Sequence, residues 1–117
     1  MEHPFRDENI EVDPERADEL IRAGEVQLVD VREPYEVEAG RIPGSRHVEM
    51  ERLASQAETI DRETPVLFYC RLGARSGMAA NAFRRAGFEA YSLTGGIDAW
   101  HGRGLPIEPE DGHVADH

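Results

Sequence analysis

One residue in this 117-residue chain is an obvious candidate nucleophile: Cys70, its sole cysteine. It ends the apolar run Val66-Leu-Phe-Tyr69 and is followed by Arg71-Leu-Gly-Ala-Arg75-Ser76. A thiolate attacks where a thiol hardly does, and an ordinary cysteine is only about 3 % ionised at pH 7. Raising that to roughly three quarters takes about 2.7 kcal/mol of differential stabilisation of the anion. The residues after Cys70 are of the types that can supply it. Gly73 permits tight curvature, so the N–H groups of Arg71 to Ser76 can turn inward as an anion-binding nest. A helix starting near Arg75 or Ser76 points its positive end back at the loop, worth about 0.3–1 kcal/mol. Arg71 and Arg75 add charge. The loop is expected to stabilise an anionic sulfur on Cys70 and to bind an anion brought to it, with Arg71, Leu72, Gly73, Ala74, Arg75 and Ser76 as binding residues. A lone cysteine after an apolar strand is otherwise commonly an inert core residue, but a loop this cationic and tightly turned has little purpose in that role. The chemistry also requires a sulfur that solvent can reach.

The flanking elements would place this loop. Asn9 to Val12 reads as a short strand, and Asp13-Pro14 as an N-cap followed by Pro in the first helical position. Ala17, Leu20 and Ile21 make one apolar helix face, and Gly24 ends it. Val26 to Val31 is a nearly continuous apolar run, the pattern of a strand covered on both faces. Glu33-Pro34 opens a short helix ending at Gly40, Pro43-Gly44 suits a type II turn, and Arg46 to Val48 can be a strand. Met50, Leu53, Ala54, Ala57 and Ile60 keep helical spacing, and Val66 to Tyr69 is the next buried strand. A helix from Ser76 closes with Arg84 and Arg85 in its last turn and Gly87 beyond it; Glu89 to Leu93 is a strand; Gly95-Gly96 turn into a last helix carrying Ile97 and Trp100. Strands alternating with helices predict an α/β fold: a mainly parallel central sheet of about five strands with helices on both faces. In such folds ligands bind at the C-terminal ends of the strands, where Cys70 falls. The expected layout is an N-terminal extension over 1–8, one domain over 9–107, and a disordered acidic tail over 108–117.

Composition narrows the partners. The formal net charge is −11; all 13 basic residues are Arg. Such an acidic surface argues against nucleic acid and anionic membranes as partners. No apolar run reaches the roughly 18 residues of a transmembrane helix. The polar N-terminus is unlike a signal or transit peptide, and a lone cysteine forms no internal disulfide. The expected location is cytoplasmic. His113 and His117 have no carboxylate or thiol framework, so no metal site is expected. Asp30 interrupts an apolar strand, and a buried charge demands a partner; Asp30 and Arg32, with Glu36, are read as a structural network near the site. Trp100 is read as a core plug.

Three segments together resemble a known family. Cys70-Arg-Leu-Gly-Ala-Arg-Ser76 is similar to the C-R-x-G-x-R-[ST] active-site loop of single-domain rhodaneses. Asp30-Val-Arg32-Glu-Pro-Tyr-Glu36 with Gly40-Arg-Ile42-Pro43-Gly44-Ser45 resembles the family's D-x-R-x-x-x-E and G-H-I-P-G-A segments. Leu93-Thr-Gly95-Gly96-Ile-Asp-Ala-Trp100, with Gly104-Leu-Pro106, is similar to its closing G-G-x-x-x-W and G-x-P segments. The resemblance runs from about Ile10 to Pro106. It implies a rhodanese-like fold and a sulfurtransferase in which Cys70 takes the outer sulfur of a small anionic donor, thiosulfate or a persulfide. The Cys70 persulfide would then pass that sulfur to a thiol, cyanide or protein acceptor, with no metal or organic cofactor. Arg41 replaces the usual histidine before Ile-Pro-Gly, and Leu72 stands where some thiosulfate-using members carry a second basic residue.

Two other readings remain at this stage. A non-enzymatic carrier would load sulfur on Cys70 and release it only to a docked protein. A phosphatase-like hydrolase would bind an oxyanion there, but phosphatases on this fold use C-x5-R, and Cys70 to Arg75 is C-x4-R, which suits one sulfur atom better than a phosphate. With no second cysteine, Cys70 has no internal resolving thiol, so any persulfide must leave to an external acceptor.

Overall fold

The computed structural model describes residues 9–116. Five strands form one sheet: β1 (Glu11–Val12), β2 (Gln27–Asp30), β3 (Arg46–His47), β4 (Val66–Tyr69) and β5 (Ala90–Leu93). Their order is β1-β5-β4-β2-β3 and every pairing is parallel, as the alternation of strands and helices predicts. From β2 the chain moves outward to β3, and from β4 it moves the opposite way to β5. β2 and β4 are therefore the neighbours whose following loops diverge, which opens a crevice at their C-terminal ends. Cys70 directly follows β4, and Val31, Arg32 and Glu33 follow β2.

Strand alternation divides the core. Val66, Phe68 and Cys70 face α3 (Leu53–Gln56) and α4 (Ala74–Arg85), packing with Ala79, Ala80, Phe83 and Phe88. Leu67 and Tyr69 face the other layer, with Ala17 and Leu20 of α1 (Pro14–Arg22) and Ile97 and Trp100 of α5 (Gly96–Gly102). Trp100 fills that layer as expected, and its indole N–H donates to the carbonyl of Pro106 at 2.7 Å. All four residues of β4 are buried, which accounts for its unbroken apolar run. The alternation also aims the Cys70 side chain at the start of α4 and not at α5.

Two expectations need correction. The apolar spacing from Met50 to Ile60 does not make one helix: α3 is a single turn between 3-10 turns at Met50–Arg52 and Ala57–Thr59. Ser55 and Thr59 donate to the carbonyls of Arg52 and Gln56, three residues back, at 3.0 and 2.6 Å. Such side-chain bonds compete with the α-helical ladder and accompany the tighter turns. Secondly, α4 starts at Ala74, earlier than expected, because Gly73 takes φ +112° and turns the chain straight into the helix. Residues 108–116 make contacts with the domain. Arg41 and Glu108 exchange backbone hydrogen bonds at 3.0 and 2.8 Å, His113 N–H donates to the Ala39 carbonyl at 2.9 Å, and Val114 packs on the α1–α5 layer. The expected extension at 1–8 lies outside the described residues.

Candidate active site

The loop after β4 closes on the Cys70 sulfur. Gly73 N–H donates to Sγ at 3.1 Å and Ser76 N–H at 3.4 Å, while Ser76 Oγ lies 3.5 Å away. Both N–H groups belong to the turn and first helical turn, where amides have no intrahelical carbonyl to meet. They aim positive dipole at the sulfur. Ser76 is itself fixed: its hydroxyl is 2.8 Å from Ser92 Oγ and 3.3 Å from the Gly73 carbonyl. Cys70 is only 1 % exposed, and it is among the residues lining a pocket of about 190 Å³, with Arg71, Leu72, Ala74 and Arg75.

A second element supports the loop from beneath. Gly95 and Gly96 both take positive φ, +72° and +61°, and bring the start of α5 against the chain after β4. Ile97 N–H donates to the Cys70 carbonyl at 2.9 Å and Asp98 N–H to the Arg71 carbonyl at 3.1 Å. A Cβ on Gly96 would fall 2.5 Å from the Cys70 carbonyl oxygen and closer still to Arg71. The Gly-Gly pair reads in sequence as a turn; its further function, a close backbone approach that holds the Cys70 loop, is visible only in three dimensions.

The cations are not free in the way the sequence suggests. Arg75 donates through both terminal nitrogens to Glu36, at 2.8 and 3.1 Å, and the Glu36 side chain has no exposure. Burial alone would lift the Glu36 carboxyl. The Arg75 hydrogen bonds, the bond from Glu33 N–H and the charges of Arg75 and Arg32 outweigh that and hold it below its ordinary range. The same hydrogen bond with Glu36 holds Arg75 above its usual value, against burial. Sequence reasoning placed Glu36 with Asp30 and Arg32 and missed its partner. The available signal was that an arginine beside a buried strand end needs a counter-charge. Arg71 lines the pocket, and its guanidinium lies 3.3 Å from the Asp116 carboxylate.

Asp30 and Arg32 form an ion pair, both without exposure. The guanidinium meets the carboxylate at 2.9 and 2.8 Å and also donates to the Gly40 carbonyl at 2.8 Å. Burial opposes the Arg32 charge, and the hydrogen bonds and charge of Asp30 more than offset it. The Tyr69 hydroxyl accepts Ile42 N–H at 3.1 Å and lies 3.0 Å from Ser45 Oγ, which ties the Ile42-Pro-Gly-Ser45 turn to the end of β4. Burial pushes the Tyr69 pKa up, so it stays a neutral phenol. Among the described residues no cluster of His, Cys, Asp and Glu could hold a metal ion, and no helix is long and apolar enough to cross a membrane.

A family model described as the rhodanese-like domain matches residues 13–103. The chain belongs to the rhodanese-like family. Among the family's members, a sulfurtransferase of Allochromatium vinosum is 36 % identical over 104 residues, covering 87 % of this chain and 97 % of its own length. A thiosulfate sulfurtransferase of Pseudomonas aeruginosa is 38 % identical over 88 residues, covering 74 % of this chain and 79 % of its own. Among solved structures, a rhodanese-related protein of Thermoplasma volcanium superposes with a TM-score of 0.78 at 25 % identity, covering 88 % of this chain and 97 % of its own. The parallel five-stranded sheet of this rhodanese-like chain is thus shared with proteins of the same family.

Proposed function

We propose that this chain is a rhodanese-type sulfurtransferase in which Cys70 carries the transferred sulfur. The observation that carries the reading is a pocket-lining cysteine with two backbone N–H groups aimed at its sulfur. Membership of a family with sulfurtransferase-named relatives supports the same reaction class.

The Cys70 thiolate attacks the outer sulfur of the donor. With thiosulfate, the bond between the two donor sulfurs breaks, and its electron pair leaves with sulfite. With a persulfide donor, the leaving group is the donor's thiolate. The product on the enzyme is a Cys70 persulfide, whose outer sulfur is anionic. A nucleophilic acceptor, whether cyanide, a thiol or a protein thiol, then attacks that outer sulfur. The S–S bond to Cys70 breaks and returns the Cys70 thiolate. The N–H groups of Gly73 and Ser76 serve both half-reactions, because each begins or ends with charge on Cys70 Sγ. Arg71 supplies the positive charge nearest the donor, with Leu72, Ala74 and Arg75 completing the wall. Arg75, held by Glu36, acts mainly by fixing the first turn of α4 and so the Ser76 amide. This chemistry calls for no metal or organic cofactor, for no nucleic acid or membrane partner, and fits a cytoplasmic setting.

Steady-state turnover of thiosulfate with cyanide, followed as thiocyanate, tests the reading. The expected result is turnover abolished in Cys70→Ala. Loading of Cys70 without turnover would identify a carrier that discharges only to a docked protein. Hydrolysis of a phosphate ester with no sulfur on Cys70 would replace the reading with the oxyanion-hydrolase alternative.

A further inference from the structure

We propose that Asp116 sets the charge of the donor this site accepts, by pairing with Arg71 and so selecting against a dianion. The inference rests on the sulfur-transfer reading of Cys70 and deepens it to a donor class: sulfane sulfur carried with a single negative charge, as in an alkyl persulfide, in preference to dianionic thiosulfate.

Two guanidiniums line the pocket over Cys70, and each is matched by a carboxylate. Glu36 takes both terminal nitrogens of Arg75. Asp116 takes Arg71 at 3.3 Å, while the buried Nε of Arg71 has no hydrogen-bond partner among the described residues. The rest of the lining, Leu72 and Ala74, is apolar, and Leu72 is 58 % exposed at the mouth. Beside it, Glu33, Glu49 and Glu51 line the neighbouring pocket that Arg75 borders. A dianion approaching Arg71 therefore competes with a carboxylate already there, inside a chain of net charge −11. A monoanion meets half of that repulsion and gains the same apolar wall.

Asp116 is delivered by a built segment. Residues 108–116 pair with Arg41 through backbone and ion-pair contacts and cross Ala39 and Gly40. Two glycines make that crossing possible: a Cβ on Gly40 would meet the His113 carbonyl oxygen at 2.5 Å, and one on Gly112 the Ala39 carbonyl oxygen at 2.7 Å. The Tyr35 hydroxyl then donates to the Asp116 carbonyl at 3.1 Å. The backbone of Asp116 is held while its carboxylate stays 96 % exposed. Position, not burial, brings it to Arg71, so its influence is electrostatic, modest and screened by salt.

The test is the second-order rate of sulfur loading onto Cys70 in the full chain, quenched and read by intact mass. The donors are thiosulfate and 2-hydroxyethyl persulfide, and the variants are Asp116→Asn and Asp116→Arg. At low ionic strength thiosulfate loading should rise about two- to fivefold in Asp116→Asn, the scale of one exposed ion pair, and further in Asp116→Arg. Persulfide loading should change less than about twofold. The thiosulfate gain should disappear near 1 M salt, where screening reaches about 3 Å. An unchanged thiosulfate rate overturns the inference. So does an equal rise with both donors, or a gain that survives high salt, because either would mean that the substitutions uncover the pocket and leave its charge preference alone. Failure of both donors to load Cys70 in every variant, wild type included, instead removes the sulfur-transfer reading, and the inference with it.

Discussion

Replacing Glu36 by Gln removes one charge from the buried pair that anchors the start of α4. Glu36 accepts three N–H groups: two from Arg75, at 2.8 and 3.1 Å, and that of Glu33 at 3.1 Å. Its side chain is fully buried and that of Arg75 is 19 % exposed. Removing one partner from a buried pair costs about 3–5 kcal/mol. Gln keeps one acceptor oxygen, and Arg75 keeps some water, so the lower end applies: about 3 kcal/mol. For a domain of this size that is a fall in Tm of roughly 12 °C. The pH dependence gives the sharper check. Burial would raise the Glu36 pKa, but the Arg75 and Glu33 hydrogen bonds and the nearby guanidinium charges prevail, and the folded value lies below the usual 4.5. A depressed carboxyl contributes stability that is complete above its unfolded pKa and is lost as pH falls through its folded one. The gap between wild type and Glu36→Gln in urea unfolding should therefore be full at neutral pH and shrink below about pH 4.5. A gap under about 1 kcal/mol at neutral pH, or one that does not move on acidification, refutes the reasoning.

Four further substitutions, one of them a control, probe separate parts of the structure. Gly96→Ala should cost well over the roughly 1–2 kcal/mol of a left-handed alanine, since its Cβ meets the Cys70 and Arg71 carbonyls, and should slow Cys70 loading; Gly104→Ala, with φ +77° and open space around it, should show the backbone cost alone. Loading rates and thermal unfolding of the two variants together check this. Ser76→Ala leaves the Ser76 N–H on Cys70 Sγ and strands the Ser92 hydroxyl, so a loss of about 1–2 kcal/mol in stability with less than a tenfold fall in loading rate is expected. Asp30→Asn should act on folding, costing about 3–5 kcal/mol through an uncompensated Arg32, while the protein that remains folded loads sulfur at the wild-type rate.

The centre of the sheet and the place of Cys70 at a strand end were readable because the inner strands carry a strong local signal. The apolar run through Phe68 and Tyr69, the Asp13-Pro14 helix start and the glycine after α4 all act within a few residues. The same holds for Gly73, whose freedom of φ predicted the turn around the sulfur. What escaped depends on contacts distant in sequence. Nothing near Arg75 announces that Glu36, 39 residues earlier, will take both its nitrogens. Gly96 reads as half of a turn until the Cys70 carbonyl is seen against it. The segment ending at Asp116 is polar and rich in Glu, Asp and Pro, the composition of a free tail, yet its backbone finds Ala39 and Arg41. The stretch from Met50 to Ile60 has the apolar spacing of one helix but breaks into short turns, where the hydroxyls of Ser55 and Thr59 bond back onto the chain.

The central claim is that Gly73 and Ser76 amides prepare the Cys70 sulfur to accept and hold a second sulfur. Intact-mass measurement after donor treatment, with peptide mapping, tests it most directly. The account predicts a gain of one sulfur atom located on Cys70, absent in Cys70→Ser and removed by cyanide. A native protein whose mass does not change, or whose added sulfur maps elsewhere than Cys70, contradicts it.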